Sequence, residues 1–478
     1  MEYEAVIGLE VHSELKTKTK NFCGCKNEFG FNMNTNVCPV CLGLPGALPM
    51  PNKKGVEYCI KAGLAFDCEI NDLAIFERKN YFYPDLPKAY QISQLEKPLC
   101  LGGKVVFESE NEEKSIRLNR IHLEEDAGKS IHDNLTQSSL IDLNRCSVPL
   151  IEIVTEPDIR SSSEAVKVLE TIKETLKYID VSDCKMQEGS LRCDVNVSIR
   201  EKGSSELNTR TEMKNLSSFK AVQRAIDYEI QRQIDLQKKG EKLVQETLRW
   251  DDEMGENYSL RSKEESNDYK YFPDPDLLPI EVEREYVEEI KSSLPRLPRI
   301  RRKEYIEKYN LPVFNAKVLT DSKIISDFFE NAISKHNNPK QISNFIMSDI
   351  LRLIKENELS LEENLPISID NFIKVIKMVE GKEINRTSAT TILDNIFMTG
   401  EDANKCAERL NLKINENEDE IKEIVLEVIK NNPNAVADYK VGNERTLTFF
   451  MGQVMKASKG RAKPDTVTRL IKELLSKE

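Results

Sequence analysis

Long apolar runs are missing from this 478-residue chain, and no stretch approaches the roughly 20 consecutive apolar residues that cross a bilayer, which excludes a membrane-spanning helix. A secretory leader is missing too. Met1-Glu2-Tyr3-Glu4 is acidic and runs straight into an alternating segment, with neither a basic nor an apolar region before it, so a cytoplasmic location is expected. Positive charge is not in excess. With a formal net charge of −12, the chain is unsuited to coating nucleic acid non-specifically, and any RNA contact has to be local. There is no G-x-x-x-x-G-K-[ST] run, so a nucleotide bound here is not held by a P-loop. A solenoid-type repeat is absent as well.

What is present is the composition of a globular protein, 39% hydrophobic and 31% charged, on a chain long enough for two to four domains. Residues 1–293 mix period-two runs with two clear helices and read as α+β. One helix, over 161–179, opens on Ser161-x-x-Glu164, a capping box, and sets Ala165, Leu169, Ile172, Leu176 and Ile179 on one stripe. The other runs from about 219 to 239 and stops at Gly240. Prolines 273, 275, 279, 295 and 298 then punctuate the chain, and the period becomes persistently helical, which places a domain boundary near 293. Ile325, Phe328, Phe329 and Ile333 follow behind a Thr320 cap, and Ile342, Ile346, Ile350 and Leu353 repeat the stripe, so 294–405 reads as a helical bundle. The polar run Asn415-Glu416-Asn417-Glu418-Asp419-Glu420 opens a small helical tail domain, 406–478, that carries Lys456, Lys459, Arg461 and Lys463.

Eleven cysteines in a reducing compartment are not a disulfide framework. Four of them form Cys23-x-Cys25 and Cys38-x-x-Cys41. Paired thiols on two turns suit tetrahedral Zn²⁺, and four protein ligands make a closed, structural site; the alternative is four ordinary buried cysteines, which turn residues such as Gly24 and Pro39 disfavour. On the opening strand Ala5, Ile7, Leu9 and Val11 are apolar, while Glu10, His12 and Glu14 share the other face. The alternation changes phase near 120, as a bulge produces, ahead of His122-Leu123-Glu124-Glu125-Asp126. Arg192, Asp194, Asn196 and Ser198 alternate with apolar residues, as do Arg210, Glu212 and Lys214. Each strand alone reads as half-solvated sheet. Together, in one sheet, they are hard-cation ligands and phosphate partners, a Mg²⁺ and nucleotide site; spacing leaves both readings open. A third constellation pairs Lys79-Asn80-Tyr81-Phe82-Tyr83-Pro84-Asp85-Leu86-Pro87-Lys88 with Asp268-Tyr269-Lys270-Tyr271-Phe272-Pro273-Asp274-Pro275-Asp276, aromatic loops whose simplest role is packing against a core.

Several long segments taken in order resemble one known family. Glu4 to His12, the two cysteine pairs with Leu42-Gly43-Leu44-Pro45-Gly46, Lys79 to Gln94, Arg120 to Gly128, Tyr269 to Asp276 and the late Gly452-Gln453-Val454-Met455-Lys456 are similar to GatB, a component of the tRNA-dependent amidotransferases, over essentially the whole chain. The related GatE carries a large inserted domain for which this chain has no room. The resemblance implies a cradle domain, then a helical domain, then a tRNA-engaging tail. It implies ATP-dependent phosphorylation of the side-chain carboxylate of Glu-tRNA(Gln) or Asp-tRNA(Asn), followed by amidation with ammonia. Partners follow: a GatA amidase releasing ammonia from glutamine, since this chain has no Gly-Gly-Ser-Ser run or Cys-His glutaminase, and a short GatC chain. Mg²⁺ ligation is assigned by resemblance to Glu10, His12, Glu124 and Glu125, with Asp194 and Glu212 for a second metal or the phosphates. Lys79 and Lys88 are nominated for the ammonia route, the commoner fate of a loop lysine being a solvated charge. Lys456, Lys459, Arg461 and Lys463 are nominated for tRNA phosphates, against a solvated helix face. The rival functions are a catalytically silent zinc-containing tRNA scaffold and a metal-dependent hydrolase built on His12 and Glu125.

Overall fold

The computed structural model describes residues 2–476 except 110–111, 134–137, 263–268, 360–364, 415–416, 442, 444 and 459. Asp268, Asn415, Glu416 and Lys459 therefore lie outside the described residues. The chain divides into two compact units, Met1–Leu297 and Pro298–Glu478.

In the first unit, alternation along each strand builds one large sheet. Its order is Glu256–Ser262, Glu246–Asp251, Thr211–Lys214, Leu191–Glu201, Tyr3–Glu14, Pro149–Thr155, Glu112–Glu125, Cys100–Leu101 and Glu69–Ile70, with Lys104–Ser109 also pairing Glu112–Glu125. Every pairing is antiparallel except Thr211–Lys214 with Glu246–Asp251. Tyr3–Glu14 sits in the middle. Its odd residues Ala5, Ile7, Leu9 and Val11 are buried in the core with Val195, Val197, Ile151 and Ile153 of its two neighbours. The bulge near 120 is present: Arg120 faces Val154, but Leu118 faces Thr155, so the buried positions switch from Ile116 and Leu118 to Ile121 and Leu123.

Four of the described α-helices contribute to that core, the last of them Arg284–Ser293 through Ile290. The first, α1 in our numbering, is Lys53–Ala65, capped by Asn52; α2 is Ser162–Tyr178 and α3 is Phe219–Lys239. Ser161 accepts from Glu164 N–H as a capping residue should, but the returning Glu164 carboxylate takes the amide of Arg160 and the ammonium of Lys114, one residue off the reciprocal capping box. Gly240 closes α3 at φ +71°, a left-handed cap that glycine adopts without strain. Ile172, fully buried on the α2 stripe, marks the energetics: Ile172→Ala is expected to cost roughly 2–5 kcal/mol in denaturant unfolding, and a loss below ~0.5 kcal/mol would place α2 outside the core.

The two aromatic segments expected to be loops are partly β-structure. Glu77–Asn80 is the centre of a separate three-stranded sheet between Lys270–Pro273 and Tyr90–Ser93. Arg78 ties it together by bonding Asp274 at 2.9 Å and Asp276 at 2.8 Å while lying 4.1 Å from the centre of the Tyr90 ring. A guanidinium that pairs and stacks together is what lysine cannot replace.

The second unit is helical and, among its described residues, carries two apolar clusters, over 305–407 and 421–475. The boundary expected near 293 falls at the end of helix Arg284–Ser293, and the units part after Leu297. A cut after 405 falls inside helix Ala403–Arg409, whose Ala403, Cys406 and Ala407 pack in the first cluster. Thr320 does not cap the helix that follows it. It ends the preceding helix, Val313–Leu319, and its hydroxyl donates to Ala316 O at 2.8 Å, while Ser322 precedes Lys323–Lys335. The stripe Ile342, Ile346, Ile350 and Leu353 is one continuous helical run interrupted by a π-turn at Ile346–Ile350. Widening the turn holds Ile342, Ile346 and Ile350, spaced by four, on the buried side.

Candidate functional site

Strand register decides which polar side chains meet. Glu10 lies opposite Asp194 on one side, and His12 lies opposite Glu152 on the other; Glu152 in turn lies opposite His122, and Asn196 opposite Glu212. Because the apolar odd positions are spent on the core, the even positions of all five strands share the other face.

Two groups result, each with ligand atoms mutually within 4.8 Å: His12 with Glu124 and Glu152, and Glu10 with Asp194 and Glu212. In the first, His12 Nε2 is 3.5 Å from both carboxylates and His122 Nε2 is 3.3 Å from Glu152. Arg120 Nε donates to His122 Nδ1 at 3.3 Å, which leaves the His122 Nε2–H to face Glu152. Ser93 donates to Glu124 at 3.1 Å. Burial alone would push the His12 imidazole down, but Glu152 and then Glu124 outweigh it and carry it up to about 9. Glu152, despite burial, is held well below the ordinary carboxylate range by His122 and His12. In the second group Glu10 is pushed up by burial and by Glu152, Glu212 and Asp194. Three carboxylates share the Lys214 ammonium, which is 2.5 Å from Asp194 and 2.9 Å from Glu212, and Asn196 donates to Glu10 at 3.0 Å. So many anions facing one lysine is an arrangement that a divalent cation relieves.

Glu125 takes no part in either group. Neighbours on a strand point to opposite faces, so while Glu124 joins His12, Glu125 accepts from Ile92 N–H at 2.9 Å and Ser147 Oγ at 2.8 Å and pairs with Lys88. Lys88 also lies 5.2 Å from the Tyr90 ring centre. Gly43, at φ +65°, packs against the Lys88 stem where a Cβ would collide with Cγ. Lys79 stands apart from Lys88, 4.9 Å from the Tyr269 ring; Glu124, Tyr271 and Glu152 more than offset its burial and keep it an ammonium. Glu14 leaves the group too. It belongs to a buried set with Asp126, which Arg145 and Arg192 grip at 2.9 and 2.7 Å, and burial followed by Asp126 pushes it up to about 8.

A cavity continues this face, lined among others by Glu10, Glu152, His122, Arg120, Lys79 and Tyr271. Glu152 and Arg120 were the residues that sequence reading missed. The signal for Glu152 existed: it is the single carboxylate in Pro149-Leu150-Ile151-Glu152-Ile153-Val154, where a buried strand tolerates a charge only with partners.

The four cysteines converge, with their sulfurs mutually within 4.8 Å. Lys20 N–H bonds Cys25 O at 2.9 Å to turn the first pair, and Leu42 N–H bonds Cys38 O at 3.0 Å to turn the second. Cys38 N–H donates to Cys41 Sγ at 3.1 Å, and Cys38 and Cys41 sulfurs are 3.8 Å apart, near the edge of about 3.8 Å for a tetrahedron with 2.3 Å metal–sulfur bonds. Hydrogen bonding from Cys23, then the Cys38 amide and the buried Lys20, hold the Cys41 thiol down to about 5, while burial and Cys38 push Cys25 up to about 11. Four converging sulfurs cannot all ionise unaided, and a cation permits it.

In the tail, Lys456 and Lys463 are exposed. Arg461 instead donates to Asn411 O at 2.9 Å and Ser458 O at 3.2 Å, joining two segments of the second unit.

With this geometry in place, comparison with known proteins is decisive. Residues 5–288 match the family model described as the GatB/GatE catalytic domain, and residues 327–475 match the one described as the GatB domain. The chain belongs to the GatB/GatE family. It is 51% identical over 477 residues to the B subunit of the aspartyl/glutamyl-tRNA(Asn/Gln) amidotransferase of a Thermoanaerobacter species, covering 100% of both chains. The proteins of the same name from Caldicellulosiruptor bescii and Clostridium novyi are 50% and 49% identical, over 100% and 99% of this chain and 100% of each relative. In GatB/GatE terms, the catalytic-domain match contains both carboxylate groups and the four cysteines. Among the described residues no helix is long and apolar enough to cross a membrane.

Proposed function

We propose that this chain activates the side-chain carboxylate of Glu-tRNA(Gln), Asp-tRNA(Asn) or both with ATP and passes it to ammonia. The observation carrying this reading is the pair of carboxylate-rich groups, each with three potential metal ligands, side by side on the polar face of one sheet and joined by the register of Tyr3–Glu14. A carboxylate is a poor acceptor because its leaving group would be oxide. Transfer of the γ-phosphoryl group to a carboxylate oxygen releases ADP and gives an acyl phosphate; neutral NH₃ then attacks the carbonyl carbon, and phosphate departs as the amide forms.

His12, Glu124 and Glu152 would hold one Mg²⁺, and Glu10, Asp194 and Glu212 a second metal or, through Lys214, the phosphates. Bound there, Mg²⁺ supplies charge neutralisation on the nucleotide. The chain's own contribution is placement: His122 and Ser93 orient Glu152 and Glu124, and Lys79 and Arg120 present cations beside the acidic face. Cys23, Cys25, Cys38 and Cys41 would hold a structural Zn²⁺. Ammonia would come from a GatA amidase, with GatC completing the assembly, along a route that Lys79 and the Lys88–Glu125 pair border. Lys456 and Lys463 would meet tRNA phosphates, and Arg461 contributes through its position in the tail rather than through a free charge.

The deciding assay supplies γ-labelled ATP, misacylated tRNA and the reconstituted GatA and GatC partners, and follows label into the aminoacyl ester. Label transfer is expected with wild type and is reduced on the order of 10²-fold or more by Glu10→Ala. A non-catalytic tRNA scaffold would transfer none in either case.

A further inference from the structure

The strand that brings Glu212 and Lys214 to the Glu10 group is short. Thr211–Lys214 has three register pairs with Leu191–Glu201 and three with Glu246–Asp251. Its buried face consists of Thr211 and Met213 alone. Met213 is unbranched and fits many holes, so packing by itself defines the register weakly. A slip of one residue would turn Glu212 into the core, and a slip of two would replace it at the group by Arg210 or Lys214.

Beneath this strand the apolar stripe of α3 gives way. Ala221, Val222, Ala225 and Ile226 are buried, and the next two turns on that side present Glu229 and Gln233, both fully buried. Glu229 Oε1 accepts from the Thr211 hydroxyl and from the Gln233 amide, each at 2.8 Å. The same amide lies 3.0 Å from Thr211 Oγ1 and 3.1 Å from Val197 O, so Gln233 touches both members of the register pair Val197–Thr211. Arg232 bonds the Glu229 carboxylate at 2.8 and 2.9 Å and reaches Glu246 at 3.1 Å. One helix thus grips three adjacent strands. Leucine at 229 would simply extend the stripe, and replacing a buried ion pair by apolar residues is often neutral or stabilising. What apolar packing does not supply is a directional contact that Met213, the other buried residue of the strand, could not make.

We infer that Glu229 is a positioning residue for the Glu10 group, holding Thr211–Lys214 in the register that places Glu212 beside Glu10 and Asp194. It acts through Thr211, from the opposite face of the sheet. Its consequence for a cation rests on the reading of the Glu10 group as a metal site; its consequence for the strand does not. Without the carboxylate the strand spreads over several registers, an ion binds only the fraction in place, and apparent affinity falls by that fraction. The His12 group stands on Tyr3–Glu14, Glu112–Glu125 and Pro149–Thr155 and is expected to keep its affinity.

The experiment compares wild type, Glu229→Leu and Glu229→Gln in the reconstituted three-subunit enzyme; glutamine keeps an acceptor for Thr211, and leucine does not. Mn²⁺ binding, followed by electron paramagnetic resonance, is expected to show two ions in wild type. Glu229→Leu weakens one of them at least about tenfold and the other less than about twofold, and Glu229→Gln restores the first to within about threefold. The Mg²⁺ concentration for half-maximal phosphoryl transfer rises in step, while kcat at saturating Mg²⁺ stays within about threefold. A fall in kcat with unchanged Mg²⁺ dependence is general destabilisation and overturns the inference. Amide hydrogen exchange reads the strand directly: residues 211–214 are expected to exchange at least about tenfold faster in Glu229→Leu, and unaltered exchange overturns the inference whatever the ions do. If the wild type holds fewer than two Mn²⁺, the two-cation reading fails, and exchange alone decides the register. Should Glu229→Leu not fold, Thr211→Val against Thr211→Ser poses the same question, with loss expected for valine and retention for serine; equal behaviour of the two overturns the inference.

Discussion

Glu152→Gln is expected to lower phosphorylation of misacylated tRNA by roughly 10²–10³-fold while leaving tRNA binding within about twofold of wild type. The side chain keeps its size, so packing is preserved, but it loses the charge that three contacts depend on. His12 and His122 both lean on that carboxylate, at 3.5 and 3.3 Å, and it is one of three ligand atoms in the His12 group. Without it, Glu124 alone faces His12, and a hard cation loses an anionic ligand from a partly desolvated site. Glu125→Gln provides the contrast. Glu125 lies outside that group and pairs with Lys88, so its loss is expected to spare phosphoryl transfer to within about tenfold and to weaken glutamine-dependent amidation. Separate measurement of label transfer and amide formation in the two variants checks the division. Equal loss of label transfer in both would mean that the two faces of the strand do not divide the work.

The same pair of glutamates marks what the sequence could and could not disclose. Period-two alternation assigned the buried side of Tyr3–Glu14 and Leu191–Glu201 correctly, because burying alternate apolar residues is the dominant energy in a half-covered sheet. Grouping was another matter. Which Glu meets which His is set by pairing between strands more than a hundred residues apart, such as His12 with Glu152, and no local pattern carries that register. Hence Glu10 and His12, neighbours in the motif, fall into different groups, and adjacent Glu124 and Glu125 serve opposite faces. The cysteines were legible because a metal site needs close spacing within short turns. Thr320 misled for the opposite reason: a threonine between two helices caps or terminates according to backbone geometry that its identity does not fix.

Those cysteines carry the second large effect. Cys38→Ser is expected to lower the stability of the first unit by several kcal/mol, out of the roughly 10–16 kcal/mol that four-ligand zinc peptides draw from the metal. The segment around them has little else to hold it: Phe22 and Cys41 are buried, but Phe29, Met33, Leu48 and Met50 are largely exposed. What the segment grips is consequential. Asn21 donates from its amide to Ser147 O at 2.7 Å and from its side chain to Glu124 O at 3.1 Å, so the turn beside Cys23 fixes the backbone of a residue of the His12 group. Loss of the metal would leave the buried Lys20 ammonium, 3.9 Å from Cys41 Sγ, facing the Cys41 thiolate without the further thiolates that a cation keeps ionised. Chelation is therefore expected to open the 23–48 segment to proteolysis first and to slow phosphoryl transfer second. One zinc per chain by elemental analysis, falling to none in the variant together with its denaturation midpoint, is the anticipated outcome. A wild type that holds no zinc, or whose denaturation midpoint does not move when its zinc is removed, would mean that the sulfurs meet for packing alone.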